Sequence, residues 1–359
     1  MGNQVSEMAY KDKKGLSSKK QENLERARES YKAGLVSVNY FPLVIYLEPT
    51  SVCNLTCPMC PVGMGVKDYQ YEERFLDPEL ITVLEEPLRN SLRCFMSGGG
   101  EPFLHPYFGT LLDIVKSYEP EIIFNTNGTL ITREIALHLV KLSIDTVSFS
   151  IDAISPEKYR LIRKGAELEQ VIEAIIMIQE EKKKLGVEKP YLNMQFTLMR
   201  DNLDELKDMV QFAYSLGINH LVIEPLSPIF SFDPVYQEFF RKSYVPADSS
   251  LINTLKKLQE QARNRLYFSS HYLQDMRFPQ RCVQPWINFG VRTDARVFLC
   301  CGTAEKMGSV KEQGFEAVWN GDAYKRFRSE IAFGKYPKSC MLCLQEARAP
   351  WFNEELVGQ

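Results

Sequence analysis

The sequence predicts an α/β protein built on a parallel sheet. From Pro42 onward, short segments rich in β-branched and aromatic residues alternate with longer segments of helical composition. This alternation predicts parallel strands joined by right-handed crossovers, and six such units fit a partial (β/α)6 barrel. The predicted strands are residues 43–47, 93–97, 122–125, 146–151, 191–198 and 220–224. The predicted helices are residues 77–90, 107–118, 133–142, 168–185 and 202–216.

Other segments flank the repeat, and we expect four regions. The first is an N-terminal helical arm, whose helix caps one end of the main domain or, alternatively, binds a partner. The barrel, a linker helix region and a C-terminal domain follow. The regions are residues 1–40, 41–235, 236–280 and 281–359, with helices at 18–34, 250–266 and 315–333 and a hairpin at 288–292 and 296–300.

The composition is that of an ordinary globular protein. Of the 359 residues, 45% are hydrophobic and 25% are charged, which is enough for a large core. A net charge of -3 predicts no general affinity for nucleic acid or for an anionic membrane. No apolar run approaches the roughly 20 residues that span a bilayer, and the polar N-terminus is unlike a signal peptide. We therefore expect a cytoplasmic protein.

Three of the nine cysteines follow the first predicted strand in the spacing C-x3-C-x2-C, at Cys53, Cys57 and Cys60. Three thiolates on one short loop can hold three irons of a [4Fe–4S] cube and leave the fourth iron open. Zinc is the alternative, and Cys340 with Cys343 could form half of a zinc site. The triplet is a poor zinc arrangement, because its ligands lie within one tight turn, and the four histidines give zinc few further ligands.

At this triplet the sequence resembles the radical S-adenosylmethionine (SAM) enzymes, whose open iron takes the amino and carboxyl groups of SAM. The resemblance implies a TIM-like partial barrel. The stretch from Ser97 to Pro102 reads SGGGEP and is similar to the family's GGEP motif. The resemblance implies that Gly99, Gly100 and Glu101 contact the methionine part of SAM. Consecutive glycines also suit a plain turn, which is the structural alternative.

Polar side chains also follow the third and fourth predicted strands. Thr126 and Asn127 belong to a T-N-G stretch that the family often carries beside SAM, although Asn-Gly is also a common turn. Strand alternation puts Ser148, Ser150 and Asp152 on one face, where they suit the ribose and amino-acid ends of SAM.

An arginine after the fourth strand completes the predicted SAM site. Arg163 matches the family arginine that pairs with the SAM carboxylate, a typical guanidinium–carboxylate interaction. Arg163 could instead be a surface charge, and Arg160 is the local competitor for the same role.

Two positions depart from the family pattern. Met59, a candidate cofactor contact, stands where an aromatic residue usually precedes the last triplet cysteine. The fifth strand lacks the glycine-bearing adenine motif. Thr197, at the end of that strand, is therefore only a candidate cofactor contact. Arg200 and Glu224 are candidate catalytic residues, and Glu224 could instead cap a turn.

The C-terminal domain is similar to the SPASM and twitch extensions of radical SAM enzymes. The matching features are C-x2-P-W from Cys282, a hairpin ending in Cys300 and Cys301, the stretches GSV and VWN, and a final C-x2-C. The resemblance implies one auxiliary [4Fe–4S] cluster held by Cys282, Cys300, Cys340 and Cys343. Cys301 is left as a packed thiol, and Cys94 in a predicted strand is a small hydrophobe.

The resemblance implies an enzyme that cleaves SAM reductively, forms a 5′-deoxyadenosyl radical and removes a substrate hydrogen atom. An auxiliary cluster suits the removal of one further electron, so we expect a dehydrogenase-like oxidation, supplied with electrons by a flavodoxin or ferredoxin. The expected substrate is a small hydroxylated molecule such as a sugar or cyclitol. A ribosomally made peptide is the alternative, and a non-catalytic iron–sulfur or zinc protein is the remaining one.

Overall fold

The computed structural model describes residues 15–66, 71–227, 233–273, 281–300, 305–337 and 340. Its centre is a nine-stranded sheet in the order β7-β6-β5-β4-β3-β2-β1-β8-β9. Neighbouring strands pair in parallel except the last two, β8 and β9, which form an antiparallel hairpin. The strands are β1 (Val44–Leu47), β2 (Arg93–Met96), β3 (Glu121–Thr126), β4 (Thr146–Ser150), β5 (Tyr191–Leu198), β6 (His220–Pro225), β7 (Tyr267–Ser270), β8 (Asn288–Val291) and β9 (Val297–Phe298).

All six predicted barrel strands are confirmed, with ends that differ by a residue or two. The linker helix region expected at residues 236–280 contains one strand that the sequence analysis did not predict, because Tyr267–Ser270 adds a seventh parallel strand beside β6. This strand has no apolar run that would reveal it. Phe268 and Ser270 are buried, and the alternate residues Tyr267 and Ser269 carry polar atoms. The strand is therefore defined only by its pairing with β6.

Most of the predicted helices are also present. The α-helices are α1 (Ser18–Ala33), α2 (Glu79–Val83), α3 (Glu85–Asn90), α4 (Phe108–Lys116), α5 (Arg133–Lys141), α6 (Pro156–Ile162), α7 (Leu168–Leu185), α8 (Met209–Ser215), α9 (Pro234–Ser243), α10 (Ser249–Ala262), α11 (Gln284–Ile287), α12 (Val310–Gln313), α13 (Phe315–Trp319) and α14 (Asp322–Ala332). None of the helices in the described ranges is both long and apolar enough to cross a bilayer.

Three predicted helices are interrupted. The helix expected at 77–90 breaks at Leu84, which has φ -103° and ψ 9° and both ends α2 and begins α3. The helix expected at 202–216 begins as a 3-10 helix, Arg200–Asp208, and continues as α8. The C-terminal helix breaks between α13 and α14, where Gly321 approaches the Ala317 carbonyl too closely to accommodate a side chain.

Strand β5 shows that the two faces of the sheet differ. Leu192, Met194, Phe196 and Leu198 are fully buried on one face, whereas the alternating residues on the other face are partly exposed. We call this second face the inner face. Neighbouring strands are in register, so their polar side chains share the inner face: Ser150 of β4 lies beside Gln195, and Thr197 lies beside Glu224 of β6.

The C-terminal domain extends the sheet, and helix α1 contacts both this domain and the segments that precede the strands. Strand β8 pairs with β1 and so extends the sheet into the C-terminal domain. At the opposite end of the strands from the site, Lys20 Nζ of α1 donates to the Glu119 carbonyl (2.6 Å), just before β3. Trp286 Nε1 of α11 donates to the Leu35 carbonyl (2.8 Å), just after α1. The N-terminal segment therefore contacts both parts of the molecule.

Candidate active site

The cysteine triplet lies on a tight loop that follows β1. The Cys60 amide donates to the Cys57 carbonyl (3.1 Å), and a Cβ on Gly63 would lie 2.5 Å from the same carbonyl oxygen. Cys57 is buried, and Cys53 and Cys60 are partly exposed. Met59, between the last two cysteines, is buried with 8% exposure, so it packs as a core side chain.

The three thiols are electrostatic neighbours. Burial raises the pKa of Cys53 to about 11, and the nearby Glu101, Cys60 and Cys57 add to this shift. Burial also raises the pKa of Cys57, whereas the Arg163 guanidinium beside it acts in the opposite direction. A bound metal cluster reverses this balance, because a coordinating thiol is held as the thiolate.

The glycine loop after β2 packs directly on the cysteine segment. The Gly100 amide donates to the Thr50 carbonyl (3.1 Å), and the Glu101 amide donates to the Val52 carbonyl (2.9 Å). A Cβ on Gly100 would lie 2.3 Å from the Val52 carbonyl oxygen, and one on Gly98 would overlap the Glu48 side chain. At least these two glycines are therefore required by the protein's own close packing.

Glu101 holds the T-N-G turn against this loop. Its buried carboxylate accepts hydrogen bonds from Thr126 Oγ1 (2.7 Å) and from the Asn127 amide (2.7 Å). Burial raises the pKa of Glu101, and these hydrogen bonds oppose the shift. Asn127 Nδ2 in turn donates to Asn54 Oδ1 (2.9 Å) and lies 3.9 Å from Cys53 Sγ. Three predicted SAM contacts thus form one bonded unit next to the triplet.

Asp152 and Arg163 form a buried ion pair at the end of β4. Arg163 Nε and Nη2 lie 2.6 and 2.5 Å from Asp152 Oδ2, and the Asp152 side chain is 0% exposed. The other carboxylate oxygen accepts from the Thr197 amide (2.7 Å), which brings in the end of β5. Arg163 is therefore not a free surface charge. The same guanidinium lies beside Cys57 of the triplet.

The remaining predicted residues lie around this centre. Ser148 is buried and Ser150 is partly exposed on the inner face of β4. Glu224 Oε1, at the end of β6, lies 3.9 Å from Nε2 of His271, which directly follows β7. Arg200 is exposed, and its Nε donates to the Tyr244 carbonyl (3.2 Å).

Sequence reasoning missed several side chains that build the site. Glu48 is buried at the end of β1; its Oε1 accepts from the Gly99 amide (2.7 Å), and burial raises its pKa. Asn202 is fully buried and joins β4 to β5 by donating to the carbonyls of Asp152 (2.8 Å) and Thr197 (2.9 Å). Glu48 follows the first predicted strand, and this position could have suggested it as a site residue. Asn202 and His271 belong to no sequence motif that would have indicated them.

Three of the four predicted auxiliary ligands lie in the described residues. Burial raises the pKa of Tyr336, and the nearby thiols of Cys282 and Cys340 add to the shift, so both sulfurs lie around one phenol. Cys300 lies two residues after the end of the β8–β9 hairpin. The turn residue of this hairpin, Ala295, has φ 62°, a conformation that glycine favours. Cys301 and Cys343 lie outside the described residues. Cys94 is fully buried in β2, as expected of a small hydrophobe.

The side chains present suit an iron–sulfur cluster in each place. Thiolates are the ligands of such clusters, and both predicted sites offer partly exposed sulfurs. Among the described residues, no three His, Cys, Asp or Glu side chains converge on a single metal ion. The ligands of a four-iron cube are spaced more widely than those of one ion.

Two segments of the chain match models of known protein families. Residues 47–213 match the family model described as the radical SAM superfamily, and residues 282–344 match the SPASM model, an iron–sulfur cluster-binding domain. The chain therefore belongs to the radical SAM superfamily and carries a C-terminal SPASM-type domain. The first domain binds SAM and a [4Fe–4S] cluster, and the second domain binds further iron–sulfur clusters.

The chain is similar in sequence to two relatives with different functions in their names. The chain is 27% identical over 323 residues to the tungsten-containing aldehyde ferredoxin oxidoreductase cofactor-modifying protein of Pyrococcus furiosus, covering 83% of this chain and 86% of the relative. It is 32% identical over 226 residues to a probable GTP 3′,8-cyclase of Thermococcus kodakarensis, covering 60% of this chain and 66% of the cyclase.

A solved structure agrees with the fold. Streptococcus suis SuiB bound to precursor peptide SuiA matches with a TM-score of 0.66 and 16% identity, over 86% of this chain and 71% of SuiB. At this identity the match shows a shared architecture, the partial TIM-like barrel with its C-terminal extension.

Proposed function

We propose that this protein is a SAM-dependent enzyme that oxidises an organic substrate by two electrons. The observation that carries the proposal is that two groups flank the Cys53–Cys60 loop at one end of the sheet. Glu101 and its turn are bonded to this loop, and the Arg163 guanidinium of the Asp152–Arg163 pair lies beside Cys57. In parallel α/β folds, chemistry collects at this carboxyl end of the strands. The domain bearing the auxiliary cysteines continues the same sheet through β8.

Each residue set has a distinct proposed task. Cys53, Cys57 and Cys60 hold the SAM-binding cluster, and Cys282, Cys300, Cys340 and Cys343 hold one auxiliary cluster. When SAM and the clusters are bound, they would supply a 5′-deoxyadenosyl radical, which removes a hydrogen atom from the substrate. The auxiliary cluster would accept one electron. The inner face of β4 and β5 binds SAM, and Arg163 pairs with its carboxylate while Asp152 keeps the guanidinium in place.

The oxidation also releases a proton, which a protein side chain must accept. We assign this task to Glu224, with His271 as its neighbour at 3.9 Å. By register Glu224 shares the inner face with Thr197, so it lies on the side of the sheet that carries the proposed SAM contacts. Hydrogen atom, electron and proton together make a two-electron oxidation, and the substrate carbon gains a double bond to oxygen when the substrate is an alcohol.

The proposed substrate is a small hydroxylated molecule, sugar-like or cyclitol-like. The amide side chains of the inner face that are not among the proposed SAM contacts, Asn193 and Gln195 of β5, suit hydrogen bonding to an alcohol. A ribosomally made peptide is the second candidate, favoured by the architecture shared with SuiB, whose solved complex holds a precursor peptide. We propose a flavodoxin or ferredoxin as the electron donor, and the cytoplasm as the location.

Isotope transfer tests the function. The protein is reconstituted with iron and sulfide, reduced, and supplied with SAM and deuterated sugars, cyclitols or peptides. We expect 5′-deoxyadenosine to form and to carry deuterium from one class of substrate, by mass spectrometry. A variant with all three triplet cysteines changed to alanine is the blank. If the reduced protein holds both clusters and does not cleave SAM, the proposed enzymatic function is refuted.

The proton acceptor is tested separately. Glu224→Gln is expected to lower product formation at least about 100-fold, since general base catalysis contributes factors of that order, while deuterium transfer to 5′-deoxyadenosine continues. Glu238→Gln, at an exposed ion pair with Lys242 in α9, is the matched control and should leave both unchanged. Equal loss of product and of deuterium transfer would assign Glu224 to binding instead.

A further inference from the structure

The residue that precedes the predicted ligand Cys282 is held by the N-terminal helix. Arg281 Nη1 donates to the Tyr31 carbonyl (2.6 Å), and Nη2 donates to the Lys32 carbonyl (3.4 Å). In return, the Tyr31 hydroxyl donates to the Arg281 carbonyl (2.6 Å). Side chain and backbone of Arg281 are thus both bound by residues that lie 250 positions earlier in the chain.

Stacked side chains reinforce this contact. The Arg281 guanidinium lies 5.1 Å from the centre of the Tyr31 ring and 5.8 Å from that of Trp286. The two rings themselves meet edge to face at 5.6 Å. A guanidinium between aromatic rings is favourable and restricts the rotamers of all three side chains. We call Tyr31, Arg281 and Trp286 the clamp.

The end of α1 is suited to receive a cation. The last carbonyls of a helix lack partners within the helix, and its C-terminus attracts positive charge. Gly34 ends α1 in the left-handed conformation, with φ 65°, and a Cβ there would lie 2.8 Å from Arg281 Nη1. The glycine therefore leaves room for the guanidinium at the helix end, and a larger residue would displace it.

Helix α1 is itself anchored on the barrel. Lys20 binds the Glu119 carbonyl, and Asn23 Nδ2 donates to the carbonyls of Phe41 (2.9 Å) and Asn90 (3.1 Å). Lys20 and Asn23 are only 5% exposed. The clamp therefore connects the loop that carries Cys282 to a helix whose position is set by the barrel.

From these contacts we propose that α1 and the clamp position Cys282 for the auxiliary cluster and place the Arg281 cation beside it. Arg281 and Tyr31 are positioning residues in this assignment. The inference rests on the proposed function in one respect, the role of Cys282 as a cluster ligand. Hydrogen bonds and charge next to ligating sulfurs tune the potential of iron–sulfur clusters, so a fixed cation here stabilises the more negative, reduced state.

Potentiometric titration followed by electron paramagnetic resonance tests this role on the reconstituted full chain. Arg281→Gln should shift the auxiliary-cluster potential to more negative values and leave the SAM-cluster potential unchanged. Arg281→Lys keeps the charge and should recover most of the shift. Tyr31→Phe removes only the hydroxyl bond to the Arg281 carbonyl, and should broaden the auxiliary-cluster spectrum without loss of iron. Arg26→Gln, at an exposed pair with Glu22 on the same helix, is the control.

A second readout uses the metal-free protein. Hydrogen exchange should be faster at the last amides of α1 and at residues 281–287 in Arg281→Gln than in wild type, and normal in Arg26→Gln. An Arg281→Gln protein with wild-type auxiliary potential and wild-type exchange would overturn the clamp. A wild-type protein that holds only one cluster would instead refute the proposed function, so the two failures are distinguishable.

Discussion

At the scale of single residues, Asp152 and Arg163 form a buried ion pair in the site. Asp152 is fully buried and accepts from both Arg163 and the Thr197 amide, so each carboxylate oxygen has a partner. Removing one member of a buried pair leaves the other charge uncompensated, which costs far more than the pair itself contributes. The pair thereby holds β4, β5 and the arginine in one arrangement.

Asp152→Asn tests this interpretation. The amide places a donor against the guanidinium, and we expect a loss of about 3–5 kcal/mol in the free energy of unfolding, as for other broken buried pairs. Urea denaturation of the reconstituted protein, followed by circular dichroism, measures the change. Asp204→Asn is the control, because Asp204 is 73% exposed in its pair with Lys158, and such an exposed pair contributes little to stability. Similar losses in both variants would contradict the buried-pair argument.

At the scale of elements, the glycine loop and the cysteine loop act as one unit. The loop after β2 donates two backbone hydrogen bonds to residues 50–52, just before Cys53. The approach is so close that Gly100 has carbonyl oxygens on the side where a Cβ would project. Both partners are backbone, so neither can move aside as a flexible side chain would. The spacing of the two loops therefore depends on this glycine.

Gly100→Ala should separate the two loops. A Cβ would meet the Val52 and Thr50 carbonyl oxygens at 2.3 and 2.5 Å, so we expect a destabilisation of roughly 2–4 kcal/mol, typical of severe overpacking. Iron bound by the triplet should fall while auxiliary-cluster iron is retained, which iron analysis and absorption spectra can measure.

Gly109→Ala is the matched control for this substitution. Gly109 lies in α4, and its nearest neighbour to a new Cβ is His138 at 3.7 Å, so alanine should stabilise the helix by about 0.5–1 kcal/mol. Retention of triplet iron in Gly100→Ala at wild-type stability would show that the loops can separate without cost.

At the scale of the whole molecule, one sheet joins the two cluster-binding regions. β1 leads into the triplet on one side and pairs with β8 of the SPASM-type domain on the other, with Val44 opposite Asn288. Helix α1 adds a second connection across the same boundary. Because the triplet and the described cysteines of the SPASM-type domain lie on separate loops of this common framework, we expect that loss of one cluster leaves the other region folded.

Metal content tests this arrangement. The reconstituted wild type should hold about eight irons per chain, from two [4Fe–4S] cubes. The variant Cys53→Ala/Cys57→Ala/Cys60→Ala should hold about four, with the auxiliary spectrum intact. Iron and sulfide assays measure both. Zinc with little iron in the wild type would contradict the cluster assignment, and complete loss of iron in the variant would contradict the independence of the two sites.

The sequence by itself determined the first six parallel strands and the cofactor class, and it predicted the cysteine ligands that we assign. Strand and helix periodicity is a local property, so β1 to β6 and α7 could be predicted closely. The triplet and the SGGGEP stretch are also local, because a cluster-binding loop and a close backbone approach each need particular residues at short spacing.

Only the tertiary structure decided which partners these residues find. Glu101 binds the T-N-G turn, Arg163 binds Asp152, and the N-terminal helix binds Arg281. The seventh strand likewise exists through pairing with β6 and has no apolar pattern of its own. The physical reason is that hydrogen bonds and ion pairs between distant segments depend on how the chain folds back. Local composition carries no record of that geometry.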